Sequence, residues 1–221
     1  MAFPRGSCVR SILAPSPNSS YSFKCVMVGH QCVGKTCLTN RIATGRFIDS
    51  PITTFSAASV KVEVKLPSGA IVNIDLWDTA GQERYRSLTQ SYFRDAKAVL
   101  LVYDAENKTK IRDWLKEVRR HVTWGDALLF LIGTKLDLGA EICLSEEEIQ
   151  SLSRIEDTIL DIAGHYVLSS KTGENVAQSV ERMAESVVVA GKEKRLDLTQ
   201  RRGTVRARGE REGQDKNGNC C

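Results

Sequence analysis

The chain has 221 residues, 42% of them hydrophobic and 26% charged, with 31 Lys and Arg against 27 Asp and Glu. That size fits one globular domain of about 100–200 residues plus tails, the longest apolar run (98–103) is far below the roughly 18 residues of a membrane-spanning helix, and residues 1–20 lack a secretory apolar stretch. The net charge of +4 is uneven: 192–221 holds nine basic and five acidic residues, 1–20 holds Arg5 and Arg10, and 21–191 is net −2, so the globular part is mildly acidic and the basic charge that would invite a nucleic-acid reading sits on a tail.

Residues 1–20 contain three of the five prolines and read as a flexible extension. From there apolar strands alternate with helical patterns. Strands are expected at 23–29, 60–66, 71–77, 98–103, 128–133 and 166–168. Pro67-Ser68-Gly69 supplies a hairpin turn between the second and third. Helices are expected at 35–44, 84–94, 109–121, 145–163 and 174–190. Ser145 and Glu148 form a capping box for the fourth, and Gly164 is placed to stop it. Residues 192–221 have no apolar period and read as a disordered basic tail. This alternation predicts an α/β fold with a six-stranded, mostly parallel sheet and helices on both faces, spanning 21–191. The scattered Cys8, Cys25, Cys32, Cys37 and Cys143 have no metal-ligand spacing and suit a reducing compartment; Cys220 and Cys221 stand apart from them.

After the first strand, Gly29-His30-Gln31-Cys32-Val33-Gly34-Lys35-Thr36 has the spacing Gly-x4-Gly-Lys-Thr and opens a helix. Backbone N–H groups of such a loop converge on phosphate oxygens, aided by the helix dipole. Lys35 reaches the β- and γ-phosphates and the Thr36 hydroxyl takes Mg²⁺. After the third strand, Trp77-Asp78-Thr79-Ala80-Gly81-Gln82-Glu83 places Asp78 to bind Mg²⁺ through a water. In the same string Gly81 offers its N–H to the γ-phosphate and Gln82 orients the attacking water. After the fifth strand, Thr134-Lys135-Leu136-Asp137 supplies a carboxylate that accepts both donors of the guanine edge and a lysine stem for one face of the base. Ser169-Ser170-Lys171 follows the last strand and supports Asp137 and the base. Ligands of α/β sheets bind at these carboxyl ends of strands.

Together these strings resemble the Ras superfamily of small GTPases, and the Rab family most closely, over residues 22–190. Arg84-Tyr85-Arg86-Ser87-Leu88-Thr89 and Ser91-Tyr92-Phe93-Arg94-Asp95-Ala96 are similar to the Rab switch II signature. Leu101-Val102-Tyr103-Asp104 and Lys171-Thr172-Gly173-Glu174-Asn175-Val176 are also Rab-like. The resemblance implies a P-loop G domain that binds GTP or GDP with Mg²⁺ and hydrolyses GTP slowly. Phosphate binding falls to Gly29, Gln31, Cys32, Val33, Gly34, Lys35, Thr36, Cys37, Thr54 and Gly81, and catalysis to Gln82. Guanine binding falls to Phe47, Thr134, Lys135, Asp137, Ser169, Ser170 and Lys171, and metal binding to Thr36, Thr54 and, through water, Asp78. Spacing from the phosphate loop selects Thr54 for switch I, counting back from Asp78 lands nearer Phe55, and Thr53 is an alternative. The Cys220–Cys221 pair is similar to the doubly prenylated Rab terminus. It implies lipid attachment to the cytoplasmic face of an endomembrane, with an exchange factor, an activating protein, a GDP-dissociation inhibitor or escort protein, and effectors as partners, and no nucleic acid.

The sequence departs from the family at Gln31 (a glycine in Ras), at Thr134 (usually Asn) and at Ser170 (usually Ala). It also departs at 55–59, which replace the switch I signature, and across 104–114, which are about three residues short. The alternative reading is a membrane-attached guanine-nucleotide scaffold with little hydrolysis.

Overall fold

In the computed structural model the described residues are 20–49, 58–79, 90–122, 127–139, 142–155, 158–193 and 199–201. Strands β1 (Ser20–Val28), β2 (Ala58–Lys65), β3 (Ile71–Asp78), β4 (Ala96–Tyr103) and β5 (Leu128–Gly133) alternate with helices α1 (Lys35–Thr44), α2 (Gln90–Phe93) and α3 (Ile111–His121). Then come α4 (Glu146–Ser153), the short strands β6 (Arg154–Ile155) and β7 (Thr158–Ile159), β8 (Ile162–Val167), α5 (Val176–Lys192) and β9 (Thr199–Arg201). The main sheet runs β2-β3-β1-β4-β5-β8. All neighbours are parallel except β2 with β3, which are antiparallel. The turn between β2 and β3 closes with Gly69 N donating to Leu66 O, and Gly69 takes φ 85°. The expected six-stranded, mostly parallel α/β sheet is therefore present.

Strand alternation sorts the apolar side chains onto two faces. Phe23, Cys25, Met27, Val72, Ile74, Leu76 and Leu100 join Leu38 of α1 and Met183, Val187 and Val188 of α5 in one core. Val26, Val28, Val99, Leu101, Leu129 and Leu131 join Ile111, Leu115 and Val118 of α3 in the other. Helices thus cover both faces, as the near-continuous apolar strands of a parallel sheet require.

Three expectations need correction. The helix expected at 145–163 keeps its capping box but ends at Ser153, and Arg154 and Ile155 pair antiparallel with Ile159 and Thr158. The β-branched residues Ile155, Thr158 and Ile159 favour a ladder over a further helical turn. Gly164 accordingly lies inside β8 rather than stopping a helix, and a Cβ there would meet the Tyr166 hydroxyl at 3.0 Å. The helix expected from 109 begins as a 3₁₀ turn (Ala105–Lys110), because Asp104 caps it by accepting from Asn107 N. In the stretch read as a disordered tail, Thr199–Arg201 pair antiparallel with Ser20–Ser22 of β1. They take the side of β1 that β4 leaves open, since β4 joins β1 only from Lys24 onward.

Candidate functional site

Gly29 directly follows β1, and its φ of 144° suits glycine. A Cβ at that position would stand 2.1 Å from Val102 O, so β1 leaves the sheet with its backbone against β4. The loop then turns through Cys32 (φ 62°) and Gly34 (φ 94°), both left-handed, before α1 starts at Lys35. Left-handed residues rotate successive N–H groups toward one side and form an anion-binding concavity. Gln31 and Cys32 are exposed and Val33 is buried. Lys35 is only 5% exposed, and its Nζ donates to Gly29 O and His30 O, both at 2.8 Å. Burial lowers its pKa to about 8, with the Asp78 carboxylate acting the other way.

The Thr36 hydroxyl donates to Asp78 Oδ2 at 2.7 Å. Asp78 is 2% exposed and its other oxygen, Oδ1, is buried with no hydrogen-bond partner among the described residues. Burial raises the Asp78 pKa, opposed by Thr36 and Lys35. A hydroxyl, a carboxylate and an orphaned buried oxygen side by side are what a hard, hydrated divalent cation such as Mg²⁺ takes. Next to them Thr79 Oγ1 donates to Met27 O at 2.6 Å, which ties the end of β3 to β1. Cys37 sits half-buried on α1 with Sγ 3.8 Å from Ile48 O, and burial raises its pKa.

The loops after β5 and β8 meet the 29–36 loop. Thr134 is 1% exposed, and its hydroxyl lies 2.5 Å from Val33 O and 3.1 Å from Tyr103 O. Lys135 takes φ 64°, and its Nζ donates to Asp104 Oδ2 at 2.6 Å. Burial alone would raise the Asp104 pKa; the bonds from Lys135 and Asn107 outweigh it and hold the carboxyl below the ordinary range. Ser169 Oγ donates to Asp137 Oδ1 at 2.5 Å and accepts from Thr172 N at 3.1 Å. Leu136 N bonds Leu168 O, which locks the two loops together. Ser170 is buried, and its hydroxyl has no partner among the described residues. Phe47 is half-buried and outside both core clusters.

Two supporting residues were not expected from sequence. Arg41 of α1 donates through Nε to Ser170 O at 2.6 Å and through Nη2 to Lys171 O at 2.5 Å, fixing the last loop on α1. Asp104 anchors Lys135. The string 101–104 pointed to Asp104 only as a resemblance, and Arg41 carries no motif at all. Thr54, Gly81, Gln82, Cys220 and Cys221, and the alternatives Thr53 and Phe55, lie outside the described residues.

A family model described as the Ras family matches residues 24–189. Human Ras-related protein Rab-21 is 33% identical over 213 residues, covering 91% of this chain and 92% of its own. Mouse Ras-related protein Rab-37 is 32% identical over 210 residues, covering 93% and 89%. Bovine Ras-related protein Rab-26 is 35% identical over 170 residues, covering 75% and 64%.

Proposed function

Because the chain belongs to the Ras family, and within it to the Rab small GTPases, we propose that it is a Mg²⁺-dependent GTP switch of vesicle trafficking, attached by lipid to the cytoplasmic face of an endomembrane. Its reaction is that of a GTPase, GTP and water giving GDP and phosphate. The observation that supports this reading best is the meeting of three sequence-distant parts at the carboxyl ends of β1, β3, β5 and β8. These are the phosphate loop, the Thr36–Asp78 pair, and the loops of Thr134–Asp137 and Ser169–Lys171.

In this reading the loop N–H groups and Lys35 bind the β- and γ-phosphates. Thr36 and Thr54 directly, and Asp78 through a water, would hold a Mg²⁺ ion, which would neutralise phosphate charge. Asp137, oriented by Ser169, accepts from the guanine edge, while Lys135 and Phe47 flank the base and Ser170 and Lys171 contribute backbone. Gly81 senses the γ-phosphate and Gln82 orients the attacking water. The exposed Gln31, where Ras has glycine, makes intrinsic turnover slow and dependent on an activating protein. Release of GDP depends on an exchange factor. Effectors read Trp77, Tyr92 and the neighbourhood of Val60, and an escort or dissociation inhibitor holds a cytosolic pool. Lipids attach at Cys220 and Cys221. Among the described residues no helix is long and apolar enough to cross a membrane.

The test is the nucleotide that co-purifies with the protein, followed by single-turnover phosphate release. GDP or GTP should co-purify, and Gln82→Leu should slow release by roughly tenfold or more. Unchanged release in that variant overturns the role of Gln82. Release near zero in the wild type, with or without an activating protein, favours the scaffold reading.

A further inference from the structure

Lys24 lies on β1 directly opposite Asp75 of β3 and beside Ala96, the first residue of β4. Its Nζ donates to Arg94 O at 3.0 Å and stands 4.2 Å from the centroid of the Trp77 ring. Trp77 is held from two more sides. Its Nε1 donates to Asp75 Oδ2 at 3.0 Å, and its ring centroid is 6.1 Å from that of Tyr92, tilted by 43°. Trp77 immediately precedes Asp78, the acceptor of the Thr36 hydroxyl, and Arg94 immediately follows α2. Asp95, at φ 61°, then turns the chain into β4. One ammonium therefore touches both ends of the chain segment that begins at Asp78 and finishes with α2.

An ordinary surface lysine would keep its head in water. Here the head, still partly in solvent, also lies against an indole face and a main-chain carbonyl, which adds a cation–π contact. Burial lowers the Lys24 pKa, with Asp75 and then Asp95 opposing it. The Trp77–Tyr92 ring contact also links β3 to α2, and Lys24 adds a charged link from β1 that reaches both the Trp77 ring and the Arg94 carbonyl.

We propose that Lys24 is a positioning residue for GTP hydrolysis, stapling Trp77 to Arg94 and so fixing the ends of the segment that carries Asp78, Gly81 and Gln82. It acts through that segment and touches no substrate. The proposal rests on the reading that this segment supplies the water-orienting and γ-phosphate-sensing groups.

The experiment compares Lys24→Met and Lys24→Arg with wild type as purified, nucleotide-loaded full chains. In a Trp114→Phe/Trp124→Phe background Trp77 is the only indole. Lys24→Met should cut single-turnover hydrolysis by roughly three- to tenfold, a displacement effect rather than a lost contact. GDP affinity should stay within about twofold, which separates positioning from binding. Trp77 should become more accessible to acrylamide quenching. Lys24→Arg keeps a cation over the ring and a donor for Arg94 O, and should restore both readouts. Wild-type hydrolysis in Lys24→Met overturns the proposal, as does unchanged quenching or an arginine variant no better than methionine. Gln82→Leu run alongside keeps the two readings distinct: if it hydrolyses normally while Lys24→Met does not, the role of Gln82 falls and the staple stands.

Discussion

The Thr134 hydroxyl stands between carbonyls of two other segments, Val33 O in the phosphate loop and Tyr103 O at the end of β4. Thr134 N also bonds Tyr103 O at 2.9 Å. Replacing Thr134 by Val keeps the shape and removes the only atom of its side chain that can donate. Buried acceptors lose a partner, at a cost of about 1–3 kcal/mol. Where that cost falls on the nucleotide-bound state, GDP dissociates about tenfold faster for each 1.4 kcal/mol. Urea unfolding of the loaded protein and the dissociation rate of a fluorescent GDP analogue check this; an unchanged rate means that the base loop holds nucleotide without help from Val33. The pattern 29–36 marked a tight loop ahead of α1, where Gly29, Cys32 and Gly34 take positive φ, and the Ser169 hydroxyl bonds Asp137. The role of Thr134 was not legible, because its partner Val33 lies 101 positions away and only the sheet brings them together. Arg41 is the same case. On the sequence it is one polar residue of an amphipathic helix, and only the packing of α1 beside the 169–171 loop gives its guanidinium two carbonyls.

Helix α4 has eight residues, none of whose described side chains is fully buried although Leu152 packs against the α3-side core, so its cap carries a larger share of its stability than in a buried helix. Ser145 Oγ accepts from Glu148 N at 3.2 Å, and Glu148 Oε2 accepts from Ser145 N at 2.7 Å. Ser145→Ala should cost about 1 kcal/mol and raise amide hydrogen exchange along 146–153, with hydrolysis unaffected because no described contact joins α4 to the phosphate loop. Exchange confined to the rest of the chain would refute a local role for the box. The box was readable in sequence because capping is a rule over four adjacent residues. Where the helix ends was not, because 154–163 still offers apolar residues at helical spacing. What decides is pairing: Arg154 and Ile155 find Ile159 and Thr158, and Leu160 N then bonds Ser153 O at 2.7 Å. The strands of the main sheet were placed to within a few residues, because buried parallel strands are continuous apolar runs. β1 and β8 start earlier than expected, where polar residues such as Ser20, Ser22 and His165 are carried into the ladder by their neighbours.

At the scale of the whole molecule, β1 runs from the pairing with β9 at Ser20–Ser22 to the phosphate loop at Gly29. Nine strand residues at about 3.3 Å each separate the two by roughly 30 Å. The proposed membrane-attached segment therefore joins the domain at the end of the sheet away from the nucleotide. Residues 202–221 carry five basic and three acidic side chains, far less charge than the count of basic residues suggests. A well-placed Lys or Arg adds about 1 kcal/mol at an anionic surface, and three acids offset much of that here. Charge alone should then hold the protein only weakly, while two lipid chains hold it stably. A chain cut after Arg201 should keep GDP affinity within about twofold, since every residue assigned above to phosphate or base binding precedes the cut. It should lose sedimentation with anionic vesicles. The prenylated full chain should bind them at low and at high salt, with only a modest decline as screening grows. Cys220→Ser/Cys221→Ser should leave binding that salt abolishes. If that variant stays on vesicles at high salt, the attachment is made by something other than the two cysteines; if it never binds at low salt, the basic residues of 202–221 contribute nothing and the +4 of the chain has no part in membrane attachment.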